Sequence, residues 1–405
     1  MATFTHTFGT IRMVTYRKTK ILIIEPVSDL GGVSQYILSI VRYLPSDKYE
    51  IHVAASGNGP LFDLLNREGV SVHRMKIDYS FLTLFPATLS FRRFIKRERF
   101  DLIHAHTTKA GFLCSLSNLG VGTQTIYSGH CFRFSQKKQA GLKTLFLLFE
   151  RFICHSSNYI TVVGQTDYNL GISLGLLDHE TAAVIPMSID VNKFLATDPT
   201  DAVRQRKKLG LPGDAFVVGM IGRLALPRDP TTFLNAAAIL SARLDNIYFL
   251  WVGDGNLREE MLHQAAHLGL DKKLVITGWM DSEKIPQMLS AIDVLLNATK
   301  IESMGIAILE AMAARTPIVA ANVGGIPDII KDGITGWVFE SGDYEKAALI
   351  VENIYRSKAG TKNIIDAAFT SIVAKYSPKE KIAREFDSIY ERVMRSQSLH
   401  TTSPG

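Results

Sequence analysis

Two carboxylates lie eight residues apart in an otherwise apolar segment near the C-terminal third of the chain. Glu302 is followed by Ser303-Met304-Gly305-Ile306-Ala307-Ile308-Leu309 and then by Glu310. Gly305 predicts the start of a helix, with Glu302 in the loop before it and Glu310 inside it. A helix that is apolar on nearly every face is normally buried, and a buried carboxylate is costly without a partner. No Lys or Arg lies three or four residues from Glu310, so either a distant residue or a ligand with paired hydroxyls, such as a ribose, must satisfy it.

Two arginines follow the apolar run over residues 216–221, which predicts a buried strand. Arg223 comes directly after Gly222, and Arg228 lies five residues further on. Ligands of doubly wound domains bind beyond the carboxyl ends of the strands, and guanidiniums match phosphate oxygens in a fork geometry. The pattern therefore fits a diphosphate site, although two ordinary surface arginines would produce the same sequence.

Glycines and histidines occupy the corresponding positions in the N-terminal half. Gly31 and Gly32 follow the first predicted strand, where backbone amides at a helix N-terminus can approach a ligand, but Gly-Gly is also ordinary turn chemistry. His104, His106 and His130 lie at strand ends. A lone histidine is more often structural than catalytic; His130, which follows a glycine, is the best candidate, and the other two lack the further ligands of a metal site.

Length and composition restrict the class of protein. A chain of 405 residues suggests two domains, and 46% hydrophobic with 21% charged residues is typical of a soluble globular protein. Three scattered cysteines, Cys114, Cys131 and Cys154, suggest reduced thiols in a cytoplasmic protein. No apolar stretch reaches the length of a membrane-spanning helix, and residues 1–19 lack the apolar core of a signal peptide. We expect those residues to form a loosely ordered leader.

Apolar runs alternate with helical patterns in two successive series, which predicts two doubly wound α/β domains facing across a cleft. The predicted strands cover residues 21–24, 51–55, 71–75, 101–104, 124–127, 159–163 and 183–186, and then 216–221, 247–252, 273–277, 293–296 and 318–320. Helices are predicted over 33–43 and from 378 to about 395. The predicted parts are a leader (1–19), an N-terminal domain (20–187), a C-terminal domain (188–375), a terminal helix (376–397) and a tail (398–405).

Basic charge is concentrated in the N-terminal half. Residues 1–186 hold 20 Lys and Arg against 13 Asp and Glu, whereas residues 187–405 hold 25 against 26. One basic stretch spans residues 91–99, where Phe91, Phe94 and Ile95 share a helical face; another runs from Lys137-Lys138 to Phe149. These stretches are either ordinary surface helices or a contact with an anionic membrane surface. Without a recognition motif, nucleic acid is a poor candidate for a partner.

Missing motifs exclude several classes of enzyme. The sequence contains no Asp-x-Asp, no Gly-x-x-x-x-Gly-Lys phosphate loop and no complete Gly-x-Gly-x-x-Gly after the first strand. A phosphate-loop nucleotidase and a dinucleotide oxidoreductase are therefore disfavoured.

Taken together, these segments resemble the retaining, nucleotide-sugar-dependent glycosyltransferases of family four, of the bacterial polysaccharide type, which have the GT-B fold. The resemblance extends from about residue 20 to residue 395. It is carried by Glu302-x7-Glu310 with Ala311-Met312-Ala313, Thr316-Pro317-Ile318-Val319, Gly324-Gly325-Ile326-Pro327-Asp328, Asp332-Gly333, Thr335-Gly336, Gly222-Arg223-Leu224, Gly253-Asp254-Gly255 and Gly31-Gly32.

The resemblance implies a metal-independent enzyme without a cofactor, whose donor is a UDP- or GDP-linked sugar and whose acceptor is a sugar or a lipid-linked sugar. It implies catalytic roles for His130, Glu302 and Arg223: His130 near the reacting carbon, Glu302 on the donor-sugar hydroxyls and Arg223 on the diphosphate. Glu310 would hold the ribose. By the same resemblance, residues 20–187 would bind the acceptor and residues 188–375 the donor, and the terminal helix would cross back to the first domain. The remaining implied donor-binding residues are Gly31, Gly32, Gly222, Arg228, Trp279, Met280, Met304, Gly305 and Ile306.

Three positions depart from the family pattern. Arg228 stands where Lys is usual, Asp229 where Gly is commoner, and Met187-Ser188 where Asn-Gly usually forms the interdomain turn. Two other functions remain open from the sequence, a nucleotide-sugar epimerase of the same fold and a non-catalytic nucleotide-sugar-binding subunit. The expected location is the cytoplasm, peripherally at the inner face of the cell membrane.

Overall fold

The fold consists of two parallel α/β sheets, seen in a computed structural model that describes residues 17–77, 80–130, 132, 140–195, 199–378 and 380–401. The N-terminal sheet contains β1 (Thr19–Ile24), β2 (Tyr49–Ala55), β3 (Ser71–Arg74), β4 (Leu102–His106), β5 (Gln124–Gly129), β6 (Tyr159–Val162) and β7 (Ala182–Val184). The C-terminal sheet contains β8 (Phe216–Ile221), β9 (Ile247–Val252), β10 (Leu274–Ile276), β11 (Val294–Asn297), β12 (Ile318–Ala321) and β13 (Trp337–Phe339).

Helices connect the strands in both halves. In the first half they are α1 (Gly32–Tyr43), α2 (Leu61–Arg67), α3 (Leu84–Glu98), α4 (Thr107–Asn118), α5 (Ala140–His155) and α6 (Gln165–Ser173). In the second half they are α7 (Asn192–Leu195), α8 (Pro199–Lys208), α9 (Pro230–Arg243), α10 (Arg258–His267), α11 (Ile285–Ser290), α12 (Ile306–Ala313), α13 (Ile326–Ile329), α14 (Tyr344–Arg356), α15 (Lys358–Tyr376) and α16 (Lys381–Thr401).

Strand order identifies both domains as doubly wound. The first sheet has the order β3-β2-β1-β4-β5-β6-β7 and the second β10-β9-β8-β11-β12-β13, and the paired strands are parallel. In each sheet the order reverses beside the first strand, between β1 and β4 and between β8 and β11. Ligands of this architecture bind at such reversal points, beyond the carboxyl ends of the strands. The predicted fold class is confirmed.

Helices cover both faces of each sheet, so the side chains on both sides of a strand are buried. The strands therefore appear in the sequence as continuous apolar runs. All six residues of β8 are buried, as are Ile21, Leu22, Ile23 and Ile24 of β1. The sequence did not predict β13, which has only three residues. It also ended the terminal helix too early, since α16 runs from Lys381 to Thr401.

Helix α16 packs against the N-terminal sheet although it follows the C-terminal sheet in the chain. The hydroxyl of Tyr390 lies 2.8 Å from Nδ1 of His104, and Nζ of Lys48 lies 2.9 Å from the carboxylate of Asp387. Phe386 and Tyr390 are fully buried. The end of the chain therefore ties the two domains together.

The apolar face predicted in the first basic stretch does not reach the surface. Phe91, Phe94 and Ile95 of α3 are buried in the core against the N-terminal sheet, which excludes them from contact with a membrane. Periodicity correctly placed the three on one face but did not reveal that the sheet covers it. Lys137 and Lys138 of the second stretch, residues 1–16 of the predicted leader and Cys131 lie outside the described residues. No helix in the described ranges is both long and apolar enough to cross a membrane.

Candidate active site

A cleft of about 730 Å³ lies between the carboxyl edges of the two sheets. Its lining includes the loops after β1, β5, β8, β10 and β11 and the N-terminal ends of α1 and α12. Every residue that the sequence singled out for the site lines this cleft: Gly31, Gly32, His130, Gly222, Arg223, Arg228, Trp279, Met280, Glu302, Met304, Gly305, Ile306 and Glu310. Residues from five loops and two domains thus meet in one concave site, as is typical of small-molecule sites.

Two helix N-termini face each other across the cleft. Helix α1 begins at Gly32, and α12 begins at Ile306 after the N-cap residue Gly305. A Cβ atom placed on Gly32 would lie only 3.4 Å from Cδ1 of Ile306, so the two domains touch at this point. The first amides of a helix have no partner within the helix and carry the positive end of its dipole. The paired N-termini therefore form a place for an anion between the domains.

The two arginines of the cleft differ in their partners. Arg223 is exposed in the cleft and has no acidic or hydrogen-bonding partner in the portion of the chain that the structure describes. Nη1 of Arg228 forms an ion pair with Oε2 of Glu302 and lies 3.4 Å from Oγ1 of Thr299. Arg223 is therefore an open cation, whereas Arg228 is already held beside a carboxylate.

Glu302 is held at both of its carboxylate oxygens. Oε2 pairs with Arg228, and Oε1 accepts from the backbone amides of Ser303 at 3.1 Å and Met304 at 3.4 Å. A guanidinium has five N–H donors, and only Nη1 of Arg228 is used within the described residues. Arg228 can therefore bind Glu302 and a phosphate at the same time in a fixed geometry. The ammonium group of a lysine does not fix such a geometry.

A pair of glycines fixes the loop that carries Glu302. A Cβ on Gly324 would lie 1.8 Å from the carbonyl oxygen of Glu302, and one on Gly325 would lie 1.9 Å from that of Ser303. The amide of Gly325 also donates to the carbonyl of Glu302 at 3.1 Å. Only residues without a side chain permit this approach, which explains why two glycines stand far along the chain from the glutamate that they support.

Glu310 lies inside α12, as predicted, and its carboxyl group has no hydrogen bond or ion pair among the described residues. Removal from bulk water raises the pKa of Glu310 to about 8, and the positive charge of Lys193 offsets only part of this effect. The sequence left open whether a distant residue is the partner of Glu310, and the described residues contain no such partner. An unpartnered carboxyl facing a cleft suits a ligand with hydroxyl donors.

Trp279 and Met280 lie at the rim of the cleft, after β10. The indole of Trp279 is 62% exposed, and Met280 packs partly against the core. A large exposed aromatic ring beside a cleft offers a flat surface for a planar ligand group.

His130 stands in front of two further buried histidines. Its Nε2 atom lies 2.9 Å from Nδ1 of His106, and its ring meets that of Tyr36 edge to face at 5.0 Å. Burial lowers the pKa of His130 to about 4 and that of His104 to about 3, so both rings are neutral at pH 7. His104 and His106 lie inside the fold, which agrees with the expectation that a lone histidine is more often structural than catalytic.

The sequence did not identify a hydrogen-bonded contact between the domains beside the cleft. The carboxylate of Asp328 accepts from the amide of Thr166 at 3.0 Å and from its hydroxyl at 2.9 Å. Thr166 lies in the first turn of α6, and Asp328 belongs to the Gly324-Gly325-Ile326-Pro327-Asp328 motif. The motif was recognised, but a partner 162 positions away in the chain could not be inferred from it.

The departures from the family pattern also have local explanations. Asp229 has a φ angle of 47°, which explains why glycine is common there, and its carboxylate caps α9 by accepting from Thr232. Lys300 pairs with Asp229 at 2.8 Å. The amide of Met187 at the interdomain turn lies 3.0 Å from Sδ of Met304.

Within the described ranges, no three His, Cys, Asp or Glu side chains are grouped as metal ligands would be.

Comparison with known proteins identifies both halves of the chain. The model of Glycosyltransferase Family 4 matches residues 30–193, and that of Glycosyl transferases group 1 matches residues 201–370. The UDP-Gal:alpha-D-GlcNAc-diphosphoundecaprenol alpha-1,3-galactosyltransferase of Escherichia coli is 26% identical over 337 residues, 82% of this chain and 86% of the relative. The 2-deoxystreptamine glucosyltransferase of Streptomyces kanamyceticus is 35% identical over 148 residues, 36% of this chain and 38% of the relative.

The fold also matches solved structures. The crystal structure of HepE from Anabaena in complex with UDP and glucose superposes with a TM-score of 0.80 at 21% identity, over 92% of this chain and 99% of HepE. The likeness extends over both sheets, which agrees with the predicted GT-B architecture of two domains and a cleft.

Proposed function

Because the chain belongs to family 4 of the glycosyltransferases, which transfer a sugar from a nucleotide-diphosphate donor with retention of anomeric configuration, we propose that this protein transfers a hexose from a UDP-linked donor to a hydroxyl of a lipid-linked acceptor. The observation that carries the proposal is that one cleft contains an open cation, Arg223, and an unpartnered carboxyl, Glu310. A nucleotide sugar offers the complement of each, a diphosphate and a ribose.

The cleft accommodates the parts of such a donor in one order. The ribose hydroxyls donate to Glu310, and the base lies against Trp279 and Met280 at the rim. The diphosphate lies between the N-termini of α1 and α12, at Gly31, Gly32, Gly305 and Ile306, with Arg223 and Arg228 beside it and Gly222 below. The sugar then lies next to Glu302, Met304 and His130. This order uses each group for the chemistry that it can supply.

In the proposed route to retention, the acceptor oxygen attacks from the face that the diphosphate leaves. The bond from the anomeric carbon to the phosphate oxygen breaks, a bond to the acceptor oxygen forms, and the acceptor proton passes to the leaving diphosphate. Arg223 and Arg228 stabilise the negative charge that develops there. Glu302 is not a nucleophile in this scheme, since both of its oxygens are engaged by Arg228 and by backbone amides.

UDP is favoured as the nucleotide by the relatives. The name of the Escherichia coli relative specifies a UDP-linked galactose, and the structure of HepE contains UDP and glucose. The same relative acts on a diphosphoundecaprenol acceptor, which supports a lipid-linked acceptor and a role in polysaccharide or glycolipid assembly.

An exposed apolar stripe on the N-terminal domain supports access to a membrane. Leu82, in the short 3₁₀ turn before α3, is 88% exposed and Phe85 is 72% exposed, and Leu89 and Arg93 continue this exposed face along α3. Helix α3 follows β3 and so begins on the side of the sheet that faces the cleft. We define these four residues as the α3 stripe and propose that it docks on an anionic lipid surface, apolar end first, with Arg93 near the headgroups.

Sedimentation with vesicles tests the docking. We expect the protein to bind vesicles of phosphatidylcholine with phosphatidylglycerol, to bind less in high salt and to ignore pure phosphatidylcholine. A Leu82→Ser, Phe85→Ser double variant should lose at least about fivefold in the bound fraction, because its apolar area is gone. Leu349→Ser, an exposed leucine on α14, is the matched control. If the double variant binds vesicles as well as Leu349→Ser does, the α3 stripe is not the membrane contact.

Mass spectrometry with a panel of UDP- and GDP-linked hexoses tests the activity itself. We expect turnover of a UDP-hexose that depends on a polyprenyl-diphosphate sugar acceptor, and slow or no loss of donor without it. An epimerase would convert the donor without an acceptor, and a non-catalytic subunit would bind it unchanged. If no nucleoside diphosphate binds at all, the proposed function is wrong.

A further inference from the structure

The backbone on either side of Arg223 is fixed to the neighbouring loop. The amide of Gly222 donates to the carbonyl of Val252 at 3.0 Å, and the amide of Leu224 donates to the carbonyl of Asp254 at 2.9 Å. The amide of Arg223 itself has no acceptor among the described residues. The open cation therefore stands on a backbone that is held before it and after it but keeps a free N–H donor of its own.

A buried tryptophan holds the carbonyl of Gly222. Nε1 of Trp251, in β9, lies 3.1 Å from that oxygen. Trp251 is completely buried, and its ring packs edge to face against Phe233 of α9 with the ring centroids 5.4 Å apart. An indole has one N–H donor and no acceptor. Trp251 therefore donates and Gly222 accepts, whatever the protonation of the residues around them.

Gly253 leaves the space that this carbonyl occupies. A Cβ atom on Gly253 would lie 2.1 Å from the oxygen of Gly222, which only a residue without a side chain permits. Gly222 itself has a φ angle of 151°, a conformation that other residues rarely adopt. Because a glycine backbone has no side chain to restrict it, the peptide after Gly222 needs an outside bond to keep one orientation. Trp251 supplies that bond.

The peptide that joins Gly222 to Arg223 carries both the held oxygen and the free N–H. This peptide is trans, so its C=O and its N–H point in opposite directions. The oxygen is turned toward the buried indole of Trp251, and the N–H is therefore turned away from it. Gly222 and Arg223 both line the cleft, so the free donor lies on the open side of the loop, as does the exposed side chain of Arg223.

The opposite orientation of this peptide is unfavourable for two reasons. If the peptide turned over, its N–H would face the N–H of Trp251, and the buried indole would lose its acceptor. The oxygen of Gly222 would then face the cleft, where its negative end would repel an anion. The hydrogen bond from Trp251 thus keeps the positive end of one peptide dipole toward the place where a phosphate would lie.

The same peptide also supports the second arginine of the cleft. A Cβ atom on Gly222 would lie 3.2 Å from Nε of Arg228, so the side chain of Arg228 passes close over Gly222. A change in the orientation of this peptide therefore disturbs the surroundings of both guanidinium groups, although Trp251 contacts neither of them in the described structure.

We propose that Trp251 is a positioning residue for the donor diphosphate. Its indole N–H holds the carbonyl of Gly222 away from the cleft, so that the amide N–H of Arg223 is presented to a phosphate oxygen beside the guanidinium of the same residue. Oriented backbone N–H groups are general donors to phosphate. The identity of the anion, the diphosphate of a nucleotide sugar, rests on the proposed function. The orientation of the peptide does not.

Calorimetric titration with UDP, and NMR titration with uridine, which lacks the phosphates, test this role. Trp251 is replaced by 3-benzothienylalanine, in which sulfur takes the place of the N–H at nearly the same shape, and in a second variant by Trp251→Phe. We expect each replacement to weaken UDP binding roughly three- to tenfold, the contribution of one hydrogen bond, and to leave uridine binding unchanged. Trp337→Phe, a partly buried tryptophan of β13 against the same core, is the matched control.

Two results of these titrations would overturn the inference. The first is wild-type affinity for UDP with 3-benzothienylalanine at position 251, because the N–H would then have no role. The second is an equal loss of affinity for UDP and uridine, which is the result of a general packing defect. A wild type that binds no UDP at all would instead refute the proposed function.

Hydrogen exchange of protein labelled with ¹⁵N-arginine and ¹⁵N-tryptophan follows the two N–H groups themselves. The signals are assigned by their loss in Arg223→Lys and Trp251→Phe. Without ligand, we expect slow exchange at the indole of Trp251 and fast exchange at the amide of Arg223. Saturating UDP should slow the Arg223 amide at least about tenfold, and uridine should not. An Arg223 amide that is already protected in the free protein would overturn the inference, and this result needs no ligand to bind.

Discussion

The two walls of the cleft are built on opposite electrostatic principles. The C-terminal wall carries Arg223, Arg228 and Glu302 on loops after β8 and β11, with charged groups that reach the cleft. Behind the N-terminal wall lie neutral groups, the histidines led by His130 and the protonated Glu25. A diphosphate needs fixed charges and dipoles, whereas an acceptor hydroxyl and a sugar need only neutral hydrogen-bonding groups. In the function proposed above, the C-terminal wall binds the donor through charge and the N-terminal wall orients the sugar.

Removal of the open cation should have the largest effect on this contrast. Arg223→Ala deletes charge-assisted hydrogen bonds to the diphosphate that are worth about 1.5–3 kcal/mol, so kcat/KM for the donor should fall roughly 10- to 150-fold. Arg243→Ala, an exposed arginine paired with Glu352 away from the cleft, is the matched control and should change little. Wild-type turnover in Arg223→Ala would contradict the assignment of Arg223 to the diphosphate.

Arg228 separates the effect of charge from that of geometry. Arg228→Met leaves Glu302 without its ion-pair partner and the diphosphate with one cation fewer, so turnover should fall at least about tenfold. Arg228→Lys keeps the charge and should remain within about fivefold of the wild type. Steady-state kinetics with the UDP-hexose measures both. If lysine were as damaging as methionine, the bridging fork of hydrogen bonds, and not the charge, would be the essential property of Arg228.

The contact between the walls should have a smaller effect. Asp328→Ala removes the two hydrogen bonds to Thr166, each worth about 0.5–1.5 kcal/mol, and should raise the donor KM severalfold by favouring an open arrangement of the domains. Small-angle X-ray scattering of the free protein should show a larger radius of gyration. Thr166→Val should reproduce part of this change and Thr166→Ser should not, because serine retains the hydroxyl donor. An unchanged KM and radius in Asp328→Ala would show that the contact does not hold the domains together.

The sequence predicted the local parts of the site better than its long-range pairs. Gly305 and the apolar residues around Glu310 lie within one short segment, so the loop and helix followed directly from it. The pairing of Arg228 with Glu302 joins positions 74 residues apart, and neither residue's neighbours in the chain reveal it. The same holds for His106 and His130, on adjacent strands.

Errors in the predicted fold have a related cause. The amphipathic pattern around Phe91 shows which side chains share a face of α3, but not whether a sheet or a membrane covers that face. Strand β13 has three residues, too few to produce a periodic signal. Two doubly wound domains were predictable because long apolar runs recur at regular intervals, and because both sheets obey the same rule of parallel strands covered by helices.

The central claim is that Glu310 is a carboxyl that acquires its partner only when the nucleotide binds. Its pKa is raised to about 8, so at pH 7 it is protonated in the empty cleft. Ribose hydroxyls that donate to it favour the carboxylate, so binding must release a proton, and affinity must increase with pH up to about 8 and level off above it.

Calorimetric titration with a UDP-hexose, whose diphosphate does not titrate in this range, measures the proton directly when it is repeated in buffers of different ionisation enthalpy. At pH 7 we predict release of close to one proton by the wild type and of none by Glu310→Gln, which should also bind at least about tenfold more weakly. Two results together would contradict the assignment of Glu310 to the ribose: binding heats that do not depend on the buffer, and an affinity that does not change from pH 6 to 9.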